Sequence, residues 1–446
     1  MQEGGAVSTT TFSGSQSAIL NRFNDVRRST IALCEPLTPE DMMVQSCPEA
    51  SPAKWHVAHT TWFFESFVLR EFLPGYRLFN QDFPWLFNSY YEGFSAFPEK
   101  RLRSSFSRPG LEEILHYREH VDAAMERLFE REPEPEALRR VELGANHEEQ
   151  HQELLLTDIL NAFFTNPLRP KYKQAGNRDQ GTGIRKDIGP VDYKQFEGGL
   201  IEAGSTGEGF CFDNEMPRHR VWLEPFRLAN RLVTCGEYAE FMADGGYRKP
   251  ELWLSAGWDA VKANGWRAPL YWTEKDGAGK SGVWSVFTLR GELPLEQLAN
   301  TPVSQVSFYE ADAYARWAGH RLPTEFEWET AVEAEPVEGN LLDSGLMMPA
   351  SSDLALNSNG AEHQDMSGAK RWYGDCWVWT SSAYLGYPGF KPLDGALGEY
   401  NGKFMSGQMV LRGGSCVTPA RHIRSTYRNF FSPETRWQFS GIRLAT

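Results

Sequence analysis

The sequence predicts an α+β protein of two domains, a helical bundle followed by a loop-rich domain of short strands. The chain has 446 residues, more than one hydrophobic core usually supports. Apolar side chains recur at helical spacing through the first 167 residues, whereas from about residue 198 the apolar runs are short and glycine is frequent. A polar segment rich in Gly and Lys separates these halves and is typical of a connector.

The boundaries follow from the same changes in composition. Residues 1–14 are predicted to be a disordered tail, and residues 15–167 to be the helical bundle. Residues 168–197 are predicted to be the connector, and residues 198–446 the second domain.

Four long helices are predicted in the bundle. The first covers about 15–34, and the second about 51–72 with Ser51 as its N-terminal cap. The third begins after Gly110, and the fourth covers about 137–164. Helices of this length favour an antiparallel four-helix bundle. In the second half, one amphipathic helix is predicted near 307–319.

Charge and composition narrow the classes of partner. The chain carries 45 Lys and Arg against 59 Asp and Glu, a net charge of −14, which argues against nucleic acid or an anionic membrane as the main partner. No apolar run approaches the roughly 20 residues of a spanning helix, and no secretory signal is evident, so a cytoplasmic protein is expected. The sequence contains no indicator of oligomeric state.

The six cysteines are expected to be reduced and structural. They lie far apart, without a CxxC pair, in a chain that shows no sign of export.

Two histidines of the fourth predicted helix form a candidate metal site. His147 and His151 are four residues apart in NHEEQHQELL, so both rings project from one helix face. That face also carries apolar residues, whereas Glu149 and Glu153 lie on the opposite side, so the pair is predicted to face the bundle interior. By the same test, His116 and His120 of the third helix lie away from its apolar stripe and are predicted to be solvated.

The second predicted helix supplies a third candidate ligand. His59 is centred on its apolar stripe, while His56 lies nearer the edge and could support a ligand or be a surface residue. Three neutral imidazoles suit catalytic zinc or non-haem iron, and the spacing does not distinguish these metals. HEEQH also matches the HExxH pattern of zinc proteases, but Thr157 occupies the position at which the metzincin form requires histidine.

Motifs from both halves resemble one family. SPAKWHVAHTTWFFE and NHEEQHQELL stand in the first half, and PVSQVSFYEADAYARWAGHRLPTEFEWE, GDCWVWTSS, LRGGS and SGIRLA in the second. With these motifs the chain resembles the iron-dependent sulfoxide synthases of ergothioneine biosynthesis, the hercynine oxygenases. The resemblance implies a DinB-like four-helix bundle followed by a domain like formylglycine-generating enzyme, a variant of the C-type lectin fold.

The resemblance also implies a reaction and its cofactor. Fe(II) is expected on His59, His147 and His151, with O2, hercynine (N-α-trimethylhistidine) and cysteine or γ-glutamylcysteine as substrates. The product is a C–S bond at the imidazole carbon between the two nitrogens, formed as a sulfoxide. Tyr90 and Tyr91 resemble tyrosines that act as proton donors in one branch of the family.

Five further residues match substrate-binding positions of the family. Gln150 corresponds to a residue that holds the substrate imidazole through water, and Lys100 and Arg103 to cations that bind the carboxylates of the thiol. Asn429 corresponds to a residue at the amino-acid end of hercynine. Phe431 stands where many relatives that use γ-glutamylcysteine carry an acid, which suggests cysteine or a relaxed choice of thiol.

Two other functions remain open from the sequence. A DinB-type thiol transferase would use the same histidines for zinc and consume a thiol without O2, and a binding module would hold no metal. The formylglycine chemistry is not expected, because Thr418 and Ile423 occupy the positions of the cysteine pair on which it depends.

Overall fold

The computed structural model describes residues 16–173, 190–277, 280–350 and 372–446. Within β5 and β6, side chains are described up to residue 274 and again from residue 283. The predicted tail at residues 1–14 lies outside the described residues, as do residues 174–189 of the predicted connector.

The N-terminal domain is a bundle of long helices joined by loops. Its helices are α1 (Gln16–Cys34), α2 (Ala53–Phe64), α3 (Arg70–Phe72), α4 (Phe83–Leu86), α5 (Leu111–Phe129) and α6 (Pro135–Thr165). Helices α1, α2, α5 and α6 pack against one another, so the predicted four-helix bundle is confirmed.

The second long helix differs from its prediction at both ends. Helix α2 begins after Pro52, and Ser51 makes no capping bond to its backbone; the Ser51 hydroxyl instead accepts a hydrogen bond from Arg103 Nη1 at 2.8 Å. Beyond Phe64 the chain forms a π-helical segment, Glu65–Leu69, before α3. The carboxylate of Glu65 is buried there and accepts hydrogen bonds from two tyrosine hydroxyls, which offset the cost of its burial.

Gly144 allows α6 to approach α2 closely. A Cβ at this position would lie 2.6 Å from the Phe64 ring and 3.0 Å from the Phe63 ring. Because Gly144 lies one turn before His147, this close approach brings His147 towards the helix that carries His59.

The C-terminal domain consists of several small sheets connected by long loops. Its strands are β1 (Tyr193–Phe196), β2 (Gly199–Ala203), β3 (His219–Leu223), β4 (Phe226–Ala229), β5 (Trp272–Gly277), β6 (Lys280–Thr288), β7 (Gly291–Pro294), β8 (Gly339–Asn340), β9 (Tyr373–Gly374), β10 (Trp377–Ala383), β11 (Met409–Arg412), β12 (Asn429–Phe431) and β13 (Ser440–Gly441). The largest sheet described has the order β12-β11-β10-β13, with β10 and β13 parallel. Strand β1 lies within the segment predicted as a connector and pairs with β4.

This domain is more helical than the sequence analysis predicted. The expected helix near 307–319 is α10 (Phe308–Trp317), and α7 (Cys235–Ala243), α8 (Ser255–Asn264), α9 (Leu295–Leu298) and α11 (Glu325–Val332) accompany it. Helices α7, α10 and α11 each begin with a capping box, in which a Thr or Ser and the Glu three residues later satisfy each other's backbone N–H groups. The capping boxes of α7 and α11 are visible in the sequence, and they indicate these two helices better than the weak apolar periodicity does.

The two domains share a polar interface along α6. Glu149 and Glu153 lie away from the ligand face, as predicted, yet both are buried, because α1 and the C-terminal domain cover them. Arg22 and Arg421 bind the Glu149 carboxylate, and Trp377, Ser415 and Thr418 donate hydrogen bonds to Glu153. Packing of the C-terminal domain on the bundle therefore buries both carboxylates, which side chains of the two domains satisfy. Among the described residues, no helix has the length and apolar character needed to cross a membrane.

Candidate metal centre and its cavity

His59, His147 and His151 come together inside the bundle. One ring nitrogen from each lies within 4.8 Å of the others, and His59 and His147 are buried. His147 and His151 come from successive turns of α6, whereas His59 comes from α2, so the site forms only when these helices pack. The three rings that the sequence analysis selected are thus brought together.

The hydrogen bonds of His59 leave one nitrogen free for a metal. Its Nδ1 lies 2.6 Å from the carbonyl oxygen of Phe87, which can only accept, so Nδ1 carries the proton. Its Nε2 is buried and has no partner among the described residues. His147 Nδ1 is likewise buried without a described partner. Buried polar atoms are normally satisfied, so these orphaned nitrogens fit a bound cation.

Aromatic stacking fixes the plane of the His59 ring. Trp55 stacks on one side with ring centroids 4.4 Å apart, and Trp62 lies nearly parallel at 5.1 Å. The guanidinium of Arg103 lies 3.4 Å from the centroid of Trp55. Rotation of His59 would disrupt this stack, so the orientation of its free nitrogen is set before a metal binds.

Burial keeps all three rings neutral at physiological pH. Burial lowers the pKa of His147 to about 3 and the pKa values of His59 and His151 well below the usual range for histidine. A neutral imidazole is the form that binds a transition metal.

His56 is neither a ligand of the group nor a surface residue. Its side chain is buried, with Nδ1 2.8 Å from His151 Nδ1 and Nε2 3.1 Å from Asp158 Oδ2. Of the pair expected to be solvated, His116 is exposed, while His120 is half-buried against Tyr76 and Phe79.

A cavity of about 490 Å³ lies between the two domains beside the histidines. His147 and His151 line it from the bundle, and loops and strand β12 of the C-terminal domain form the facing wall. Of the predicted site residues, those that line the cavity are Tyr90, Lys100, Arg103, His147, Gln150, His151, Asn429 and Phe431. His59 lies behind this surface, and Tyr91 is fully buried in the aromatic core against Trp62 and Phe67.

Lys100 and Arg103 make one end of the cavity cationic. Arg103 is buried and forms no ion pair with a described carboxylate; Ser51 is its hydrogen-bond partner. Burial lowers the pKa of Arg103 to about 9 and also lowers the pKa of Lys100, yet a guanidinium with that pKa stays charged at neutral pH. Such a pair suits an anionic group of a ligand.

Gln150 is held between two tyrosines of the C-terminal domain. Its Nε2 donates to Tyr427 Oη at 2.6 Å, and its Oε1 accepts from the Tyr400 hydroxyl. The Tyr400 ring also contacts His147, with centroids 5.5 Å apart. Burial raises the pKa values of Tyr90, Tyr400 and Tyr427 above that of free tyrosine, so each phenol remains protonated.

The facing wall carries Asn429 and Phe431 at the two ends of β12. Asn429 Oδ1 accepts from the backbone N–H of Phe430 at 2.9 Å, and its Nδ2 has no partner among the described residues. Phe431 is half-buried beside Ser432 and Thr435. The cysteines, Cys416 among them, are all unpaired in the described chain, as predicted.

Three further residues of the site, Asp158, Tyr400 and Tyr427, were not predicted from the sequence. Asp158 lies seven residues after His151, and this helical spacing on the ligand face could have identified it. Tyr400 and Tyr427 lie in irregular loops of the other domain, and no spacing relates them to the histidines.

Two family models match the chain. Residues 22–155 match the DinB superfamily, and residues 194–446 match the sulfatase-modifying factor enzyme 1-like domain. These matches agree with the two folds described above.

Curated relatives match over nearly the whole length. The hercynine oxygenase of Mycolicibacterium smegmatis is 31% identical over 442 residues, which cover 94% of this chain and 96% of the relative. The hercynine oxygenase of Mycolicibacterium thermoresistibile is 29% identical, with 94% and 93% covered. Ergothioneine biosynthesis protein 1 of Schizosaccharomyces pombe is 29% identical over 53% of this chain and 27% of that protein.

Proposed function

The chain belongs to the hercynine oxygenase family, and from that premise we propose that it is a non-haem Fe(II)- and O2-dependent sulfoxide synthase of ergothioneine biosynthesis. It joins hercynine to cysteine or γ-glutamylcysteine. One hydrogen leaves the imidazole carbon and one leaves the thiol, while O2 supplies the sulfoxide oxygen and is otherwise reduced to water. The observation that carries the proposal is the group of three neutral histidines beside a cavity large enough for two amino-acid-sized substrates.

His59, His147 and His151 would hold the metal. When bound, Fe(II) held by three neutral ligands keeps its full positive charge and open positions, and so supplies a site where a thiolate and O2 can be activated. The protein contributes a fixed orientation of His59, through the Phe87 carbonyl oxygen and the Trp55 stack, and a cavity beside the histidines that both domains line.

The other cavity residues would bind and orient the two substrates. Lys100 and Arg103, which pair with no carboxylate in the described part of the chain, offer cations to the carboxylate of the thiol, and Asn429 Nδ2 offers a donor to the carboxylate of hercynine. The aromatic wall, with Phe431, suits the trimethylammonium group. Gln150, fixed by Tyr400 and Tyr427, would hold the imidazole near the metal.

The central experiment is anaerobic reconstitution with Fe(II), followed by addition of hercynine, O2 and either thiol, with products identified by mass spectrometry. We expect the S-linked sulfoxide only when O2 is present. Thiol consumption without O2 would favour the DinB-type thiol transferase, and the absence of sulfoxide with both thiols would reject the proposal.

The cavity tyrosines are expected to control the product. Tyr90 and Tyr400 keep protonated hydroxyls at the cavity and can donate a proton as O2 is reduced, which disfavours simple oxidation of the thiol. We therefore expect Tyr90→Phe with Tyr400→Phe to shift product from sulfoxide to cysteine sulfinate, measured as a mass-spectrometric ratio. Tyr91→Phe is measured separately, because the buried Tyr91 hydroxyl lies 3.5 Å from the Tyr90 hydroxyl, and a smaller shift is expected from it. An unchanged ratio in the double variant would contradict the proton-donor role.

The thiol preference is expected to favour cysteine. Among the described lining residues, the acids are Glu49, Glu153 and Asp158, and none of them lies on β12 beside Phe431 to bind the ammonium group of a γ-glutamyl extension. We expect Phe431→Asp to raise kcat/KM for γ-glutamylcysteine relative to cysteine by about tenfold, the effect of about 1.4 kcal/mol. Equal ratios in wild type and variant, with both thiols tested at fixed hercynine, would refute this assignment.

A further inference from the structure

His151 is supported by a chain of hydrogen bonds that runs through two residues with no metal-binding role of their own. His151 Nδ1 lies 2.8 Å from His56 Nδ1, and His56 Nε2 lies 3.1 Å from Asp158 Oδ2. His56 is 2% exposed and Asp158 is 7% exposed, so water competes little for these contacts. The same Asp158 oxygen accepts from the backbone N–H of Ser51 at 2.8 Å, at the start of α2.

The carboxylate of Asp158, at the end of this series of hydrogen bonds, determines which atom donates in each of them. A carboxylate can only accept, so His56 Nε2 carries a proton and donates to Asp158. A neutral His56 then presents the lone pair of Nδ1 to His151, whose Nδ1 must be the donor. That arrangement leaves the lone pair of His151 on Nε2, the nitrogen that remains available to a metal. If His56 pointed an N–H at His151 instead, the proton of His151 would lie on Nε2 and block ligation.

We propose that His56 and Asp158 are positioning residues that fix the tautomer and orientation of His151 so that its Nε2 is ready to bind the metal. The inference rests on the metal site of the proposed function. It differs from the hydrogen bond of His59, whose partner is a backbone carbonyl oxygen and not a side chain. The tautomer of His151 therefore depends on one side chain from α2, His56, and one from α6, Asp158.

Metal binding tests this role without catalysis. The full-length apoprotein is titrated anaerobically with Co²⁺, and the dissociation constant and visible absorption bands are measured. We expect His56→Leu to weaken Co²⁺ binding by about 10–100-fold. His56→Asn places an amide oxygen near the position of Nδ1 and should recover most of that loss. His116→Asn, at an exposed histidine of α5, should bind as wild type does.

A double-mutant cycle tests whether Asp158 acts through His56. Asp158→Ala should weaken Co²⁺ binding in the wild-type background, because the His56 tautomer is no longer fixed, and should cost little more in the His56→Leu background. Fully additive losses of Co²⁺ affinity in the double variant would overturn the proposal. Equal losses of affinity in His56→Leu and His56→Asn would also overturn it, as would wild-type affinity in His56→Leu. Failure of the wild-type protein to bind Co²⁺ would instead count against the proposed metal site. Circular dichroism confirms that each variant is folded.

Discussion

Replacing His59 by alanine is expected to abolish sulfoxide formation and to leave the purified protein with little bound iron. His59 is the proposed ligand on α2, and its Nε2 is buried with no described partner. Without it, two imidazoles from one helix remain, and the Trp55 and Trp62 rings face a void. Loss of a residue that hydrogen-bonds to a metal ligand weakens metal binding by roughly 10–100-fold, and we expect the loss of His59 itself to weaken it further.

The measurement is metal content by elemental analysis after anaerobic loading, alongside sulfoxide yield. His116→Ala is the control, because it removes an exposed imidazole from the same domain. Circular dichroism distinguishes loss of metal from loss of fold, and equally folded proteins with equal iron content would contradict the assignment of His59.

Replacing Glu148 by alanine is expected to give the largest loss of stability. Glu148 is fully buried next to His147 and accepts hydrogen bonds from Arg27 at 2.9 Å, Thr30 at 2.6 Å and Arg118 at 2.5 Å. Its removal leaves the buried Arg118 without its carboxylate partner and Arg27 with Asp122 as its remaining carboxylate, which costs about 3–5 kcal/mol. For a domain of this size the midpoint of thermal unfolding should fall by about 6–20 °C.

Glu136→Ala is the matched control for this prediction. Glu136 lies on the same helix and pairs with Arg139 and Arg140, but it is 40% exposed, so its loss should change the free energy of unfolding by less than about 1 kcal/mol. The free energy of unfolding of both variants is measured by denaturant unfolding. Similar losses in the two variants would show that burial of Glu148 does not increase the cost of removing its carboxylate.

The Glu148 network also predicts part of the acid sensitivity of the bundle. Burial alone raises the pKa of Glu148, but the charges of Arg118 and Arg27 outweigh this and hold the pKa at about 2. A glutamate in the unfolded chain has a pKa of about 4.3. The stabilisation is therefore complete above about pH 5 and is lost as the pH falls towards 2. Between about pH 5 and pH 2, the free energy of unfolding of Glu148→Ala should therefore fall less steeply than that of the wild-type protein. Parallel falls in the two proteins would refute this expectation.

Local periodicity was sufficient to predict the bundle and the three histidines that face its interior. His147 and His151 are one turn apart on α6, and His59 lies on the apolar stripe of α2, so the helical repeat alone places each ring on an inward face. The hydrogen bond between His56 and Asp158 could not be predicted from the helical repeat, because the two residues are 102 positions apart in the chain. Glu149 and Glu153 lie on the opposite face of α6, where the C-terminal domain buries them.

The sequence by itself determined the two-domain architecture, the inward positions of three histidines and, through its motifs, membership of the hercynine oxygenase family. Only the tertiary structure decided which phenols reach the cavity, that Gln150 is held by Tyr400 and Tyr427, and that His56 links His151 to Asp158. The physical reason is that helical faces follow from neighbours three or four residues away. The opposite wall of the cavity is built by loops, whose course depends on packing between segments more than 200 residues apart in the chain.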